Sequence, residues 1–208
     1  MTTKIKNNKT PIIITILLTI IILITSQILI KEQLIIDNIA YKIFVENLRN
    51  NNLTPLIKII TKLSETPVLI TIIVITLLTI KNKKIALTIP INLSLIVIIN
   101  QILKQVFKRA RPIGYRLLEI GGYSFPSGHA MTSTAFYGLL IFLTYKYIKN
   151  KNLKIALIIL NILTIIGVGI SRIYLGVHYC SDVLVGQAIS IIYLIIYTKV
   201  LKNKEILA

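Results

Sequence analysis

The sequence predicts an all-α, polytopic membrane protein with six transmembrane helices and both termini cytoplasmic. Three observations carry that expectation. Hydrophobic residues make up 55% of the 208 and mean hydropathy is +0.80, too apolar for a soluble domain of this length. The apolar residues fall into separate runs of about span length. Lysines gather in short clusters between those runs, at alternate ends of them.

The first run, residues 11–30, follows Lys4, Lys6 and Lys9 and resembles a secretory signal. It is longer than a signal core, and Lys31-Glu32-Gln33 follows in place of a small-residue cleavage site. A retained first span is therefore expected. Thr54-Pro55 then reads as a cap and first-turn proline opening a short helix, with Lys58, Lys62 and Glu65 on its polar side. That helix is expected to lie at the membrane interface before the chain turns inward. Further spans are expected at residues 64–80, 85–103, 130–145, 153–170 and 183–201, with Pro67 interrupting the first of these. Several runs are rich in Ile, Val and Thr, which in water favours strands. In lipid a lone run must satisfy its own backbone hydrogen bonds, so helix prevails. The whole chain, 1–208, reads as one integral-membrane domain whose motif-bearing core covers about 85–201.

Orientation follows from lysine. Lys4/Lys6/Lys9, Lys81/Lys83/Lys84, Lys146/Lys149/Lys151/Lys154 and Lys199/Lys202/Lys204 mark the ends expected in the cytoplasm. Residues 31–53 instead balance Lys31, Lys42 and Arg49 against Glu32, Asp37 and Glu46. Lys104, Lys108, Arg109, Arg111 and Arg116 break the charge rule on the outer side, which calls for a local reason. The net charge of +17 sits in clusters between spans, not along one face, so an anionic bilayer is the expected partner and nucleic acid is not. The single cysteine, Cys180, excludes an internal disulfide and a cysteine metal site.

Chemistry concentrates in three outer segments, which hold both histidines of the chain. In Lys104-Gln105-Val106-Phe107-Lys108-Arg109-Ala110-Arg111-Pro112, the cations Lys104, Lys108 and Arg111 share a helix face if the helix continues until Pro112 ends it. Alone, such a stack also suits snorkelling to headgroups. Phe125-Pro126-Ser127-Gly128-His129 opens a span, where unpaired amides form an anion site, Gly128 admits close approach and Ser127 adds a hydroxyl. A plain turn and cap would look the same. In the third segment Arg172 precedes His178 and Asp182, spaced i, i+4. A helix there lets Asp182 accept from Nδ1–H and leaves Nε2 free, and a local ion pair is the plainer alternative. Glu119 and Asp182 are the carboxylates near these motifs, so no metal site and no cofactor is expected. Lys108, Arg109 and Arg116 either lengthen the cationic mouth or snorkel, Tyr123 and Tyr174 read as interface aromatics, and Cys180 reads as filler.

Taken together, Lys-x6-Arg-Pro, Pro-Ser-Gly-His and Ser-Arg-x5-His-x3-Asp, in that order on successive outer ends, resemble the type-2 phosphatidic acid phosphatase superfamily. The resemblance runs from Lys104 to Asp182. It implies that His178 is a nucleophile forming a phosphohistidine, that Asp182 orients it, and that His129 protonates the leaving oxygen and then activates water. It further implies that Lys104, Arg111 and Arg172 bind the non-bridging oxygens, with Ser127 and the Gly128 amide completing the cradle. Such an arrangement suits phosphoryl transfer, where fixed cations and amide dipoles meet the charge spread over the equatorial oxygens.

The expected function is thus a metal-independent lipid phosphatase acting at the outer face, on undecaprenyl pyrophosphate in first place and phosphatidylglycerol phosphate or phosphatidic acid as alternatives. A transporter for an anionic headgroup is the competing class. Against it, the spans lack charged residues along their middles.

Overall fold

A computed structural model describes residues 9–31, 33–204 and 206; Lys4, Lys6 and Glu32, used above for charge, lie outside them. All regular structure among the described residues is helical: α1 (Lys9–Ile28), α2 (Ile35–Tyr41, running on as a π-helical turn Lys42–Asn47), α3 (Leu53–Lys62), α4 (Thr66–Thr79), α5 (Lys83–Phe107), α6 (Gly128–Tyr147), α7 (Lys151–Tyr174) and α8 (Cys180–Asn203).

Among the described residues four helices are long and apolar enough to cross a membrane: α1, α5, α7 and α8. A fifth span arises if α3 and α4, bent by 49° across a short break, count as one. Alone, α4 is 14 residues, about 21 Å at 1.5 Å per residue, which is short for a bilayer core. Pro67 does not interrupt it but sits in its first turn, where its missing N–H leaves nothing unpaired. The start of α3 also differs from expectation. Thr54 lies inside the helix, whose N-cap Asn52 makes no side-chain cap, and Asn50 Oδ1 accepts from the amides of Asn52 (3.0 Å) and Leu53 (2.8 Å).

The expected fourth span is α6, 20 residues long, whose run of Ala, Ser, Thr and Gly lowers its hydropathy. It is the inner helix, packed on α5, α7 and α8. Ala130, Ser133, Thr134 and Ala135 are buried there, and a helix screened from lipid by its neighbours can carry small polar residues at its contacts. Polar side chains join the helices at depth. Asn92 donates to the Ala135 carbonyl (2.9 Å), Ser190 to Met131 (3.1 Å) and Tyr197 to Thr88 (2.7 Å). By contrast α1 packs on α8 and buries none of its residues, leaving Ile12, Ile16, Ile22 and Leu23 exposed as lipid permits.

Ile85, Leu143 and Leu201 share one apolar cluster, so the start of α5 and the ends of α6 and α8 lie together. Thr10 and Pro11 of α1 face Lys199 and Asn203 at that same end. The opposite end carries the long α5–α6 connection, residues 108–127, folded over the α7–α8 turn. Its backbone is tied down where Leu117 N donates to the Leu175 carbonyl (2.9 Å).

Candidate active site

Helix α5 stops at Phe107, because Lys108 adopts the left-handed conformation (φ 46°) as its C-cap. The helical face expected for Lys104, Lys108 and Arg111 is therefore broken, and Lys108 is exposed. Lys104 and Arg111 converge by another route. Lys104 Nζ donates to the carbonyl of Tyr123 and reaches that of Ser124 (3.5 Å). Arg111 leaves the helix altogether. Its Nε donates to the carbonyls of Gly121 (3.2 Å) and Gly122 (3.0 Å), and its Nη1 donates to that of Val177 (2.8 Å). The same Nη1 stands 3.1 Å from Nε2 of His178.

A guanidinium N–H can only donate, so Nε2 of His178 accepts and the ring proton sits on Nδ1. Nδ1 faces Asp182 Oδ2 (3.4 Å) and Ser124 Oγ (3.3 Å). His178 is not helical, as the i, i+4 reading supposed. It precedes the N-cap Tyr179 of α8, and Asp182 occupies the third position of that helix, where Oδ2 caps the Tyr179 amide at 2.9 Å. Capping and ring orientation thus fall to one carboxylate. Gly176, at φ +70°, makes the turn into His178; a Cβ there would come within 2.6 Å of the Tyr115 carbonyl. Burial holds the His178 imidazole at about 3, well below its ordinary value of 6.5, with Asp182 pulling upward and Arg111 and Arg172 adding to the depression.

Ser127 is the N-cap of α6, its Oγ accepting from the Ala130 amide (3.5 Å), and its own amide donates to the Asp182 carbonyl (3.1 Å). Helix geometry leaves the Gly128 and His129 amides without intrahelical acceptors. A Cβ on Gly128 would stand 3.1 Å from Asn100 Oδ1, so the small residue lets α5 close against this turn. Asn100 in turn donates to the Pro126 carbonyl at 3.1 Å. His129 lies within electrostatic reach of Arg172, His178, Arg111 and Lys104. Arg172 is buried at 1% exposure, and Thr61 of α3 accepts from its Nη1 at 2.7 Å. All eight residues singled out in the sequence, Lys104, Arg111, Ser127, Gly128, His129, Arg172, His178 and Asp182, therefore come together at one end of the bundle.

Several partners were not legible. Arg109 does not snorkel. It is buried, with Nη1 donating to Asp182 Oδ1 (2.7 Å) and Ser181 Oγ (2.7 Å), and Nη2 donating to Asp37 Oδ2 (3.0 Å). Asp37 joins from α2, a third carboxylate that the motifs did not suggest. The one available signal was its rarity, since the chain holds only seven acidic residues. Ser124 bridges His178 and Asp182, its Oγ donating to Asp182 Oδ2 at 2.5 Å. Tyr174 is no interface aromatic but a buried residue, whose hydroxyl meets Asn50 N (3.1 Å) and Thr54 Oγ1 (2.9 Å). Among the described residues no three His, Cys, Asp or Glu side chains cluster as a metal-binding group.

A buried histidine and aspartate, cations on separate elements and the open turn of α6 thus gather at one end of the bundle. The family model of the PAP2 superfamily matches residues 85–206, and the chain belongs to that superfamily. Phosphatidylglycerophosphatase B of Bacillus subtilis (strain 168) is 35% identical over 97 residues, 46% of this chain and 47% of that protein. The match thus spans about half of each. The undecaprenyl-diphosphatase of Sulfolobus acidocaldarius is 28% identical over 159 residues, 72% of this chain and 73% of the relative. Among solved structures, the transmembrane PAP2-type phosphatidylglycerolphosphate phosphatase of Bacillus subtilis superposes with a TM-score of 0.79 at 25% identity, covering 91% of this chain and 96% of the other. LpxE of Aquifex aeolicus gives 0.63 at 25% identity, covering 78% and 93%. The chain is a multi-pass membrane protein of a lipid phosphatase family.

Proposed function

We propose that this protein hydrolyses a phosphate from a membrane lipid phosphate or diphosphate at the extracytoplasmic face, through a phosphohistidine on His178. One observation carries the proposal: Nε2 of His178 lies 3.1 Å from the Arg111 guanidinium while Nδ1 faces Asp182. A phosphate drawn to Arg111 therefore meets the unprotonated ring nitrogen. Nε2 attacks phosphorus as the bond to the leaving oxygen breaks, and His129 gives that oxygen its proton. His129 then takes a proton from water, whose oxygen displaces Nε2 and releases inorganic phosphate and neutral His178. Lys104, Arg111 and Arg172 hold the non-bridging oxygens, with Ser127 Oγ and the Gly128 amide beside them.

Counting α3–α4 as the second span and α6 as the fourth gives six, and both termini would then fall on the lysine-rich side, which the charge rule assigns to the cytoplasm. Undecaprenyl pyrophosphate is the substrate proposed, because that carrier is released at the outer face. The archaeal diphosphatase relative supports it. Phosphatidylglycerol phosphate is the second reading, favoured by the Bacillus relative and the superposing structure. Phosphate release by the purified protein in chelator tests the chemistry. His178→Ala is expected to abolish it without unfolding the protein, and activity that survives, or that needs added magnesium, refutes the mechanism. Comparing undecaprenyl pyrophosphate, phosphatidylglycerol phosphate and phosphatidic acid in one detergent tests the substrate. The highest kcat/KM on phosphatidic acid would overturn both lipid assignments.

A further inference from the structure

Arg109 stands between two buried carboxylates from distant parts of the chain. One edge of its guanidinium meets Asp182 and Ser181 on α8, the other meets Asp37 on α2, and its face covers the Tyr179 ring at 4.1 Å. Asp37 is itself saturated. Its Oδ2 caps the Leu34 amide (3.1 Å) and takes Ser181 Oγ (3.0 Å), and its Oδ1 takes the Ser181 amide (2.8 Å). Asp182 divides its oxygens. Oδ1 takes Arg109, whereas Oδ2 serves Ser124, the Tyr179 amide and the Nδ1 side of His178.

That division has a chemical consequence. A guanidinium facing one carboxylate pairs with both its oxygens, fork to fork. Paired so, Asp182 would turn Oδ2 away from His178. Asp37 accepts from the second edge of the fork.

We propose that Asp37 and Arg109 are positioning residues for the His178–Asp182 pair: Asp37 limits the hold of Arg109 on Asp182 to one oxygen and so leaves the other to orient His178. The role rests on reading His178 as the nucleophile, yet the geometry predicts a signature that does not depend on turnover. Arg109 puts its positive charge on Asp182, the partner of His178, and Asp37 offsets it. Removing each should therefore move the titration of His178 in opposite senses, and removing both should restore it.

The other charged and titratable groups facing His178 stay constant across such variants. They are Asp182, the cations Lys104, Arg111 and Arg172, and, around the small cavity on its other side, Tyr41, Tyr115, Tyr179 and Cys180, with His129 replaced in every one of those variants.

The test uses the full chain in detergent with His129→Gln, which leaves His178 as the single histidine for 15N NMR titration. Arg109→Gln is expected to raise the His178 titration by about one unit or more. Asp37→Asn should lower it, and the double variant should return to within about half a unit of the parent. Arg109→Lys keeps the charge but not the fork. It should titrate like the parent, while in the His129-containing protein it lowers kcat with KM little changed.

Shifts of one sign in both single variants, or no shift in either, overturn the proposal. So does failure of both isosteric variants to fold, which would make the pair a scaffold only. Absence of phosphatase activity in the unmodified protein would instead sink the functional reading and leave the titration result standing.

Discussion

Arg111 Nη1 and His178 Nε2, 3.1 Å apart, join the loop after α5 to the turn before α8. The cation rests on the lone pair that the proposed chemistry needs. A phosphate must draw Arg111 aside before His178 can attack. Replacing Arg111 with Ala should then cost about 10²–10³ in kcat, the usual loss for one donor to developing charge. Arg111→Lys should recover only part of it, because a point charge cannot hold the Gly121, Gly122 and Val177 carbonyls as the fork does. Steady-state kinetics on a short-chain soluble analogue checks this; equal kcat in the lysine variant refutes the geometric argument.

His178 should stay neutral well into acid. With its folded value near 3 and an unfolded value near 6.5, the unfolded chain binds the extra proton between these limits. Stability is flat above pH 6.5 on this account and falls as the pH drops from 6.5 towards 3. Thermal melts of the wild type and of His178→Asn across pH 4–8 read the effect, and the asparagine variant should show a shallower acid slope.

Thr61 accepts from Arg172 at 2.7 Å, both being buried. Thr61→Val keeps the shape and removes the acceptor. A hydrogen bond to a charged group contributes about 1.5–3 kcal/mol, so inhibition by inorganic phosphate or vanadate should weaken about tenfold or more. Unchanged inhibition would mean that Arg172 keeps its aim without α3.

Gly176→Ala places a Cβ at 2.6 Å from a backbone carbonyl, on a residue with φ +70°. Neither partner can swing away cheaply. A loss of about 1–3 kcal/mol and a Tm several degrees lower are expected. A melting curve that superposes on the wild type would show that the turn can relax.

The sequence made the site legible where the chemistry needs a fixed residue type. His129, His178 and the cations are conspicuous in so apolar a chain. How they meet was less legible. His178 and Asp182 pair through a capping carboxylate at a helix start and not along a helix face, and a spacing of four fits both. Arg109 and Asp37 lie 72 positions apart, so no local pattern joins them, and the charge count alone suggested a snorkelling arginine. The same limit explains α6. Its small polar residues looked like an ordinary span in sequence, and only packing reveals that neighbouring helices screen it from lipid.

The connection over residues 108–127 also bears on biogenesis. It emerges from the ribosome before the turn holding His178 and before the first residues of α8. Until α8 inserts, Arg109 has Asp37 but not Asp182, and Arg111 has no imidazole. The candidate site is thus completed only when α8 has been made, and a nascent chain arrested before that point would lack the residue proposed as its nucleophile.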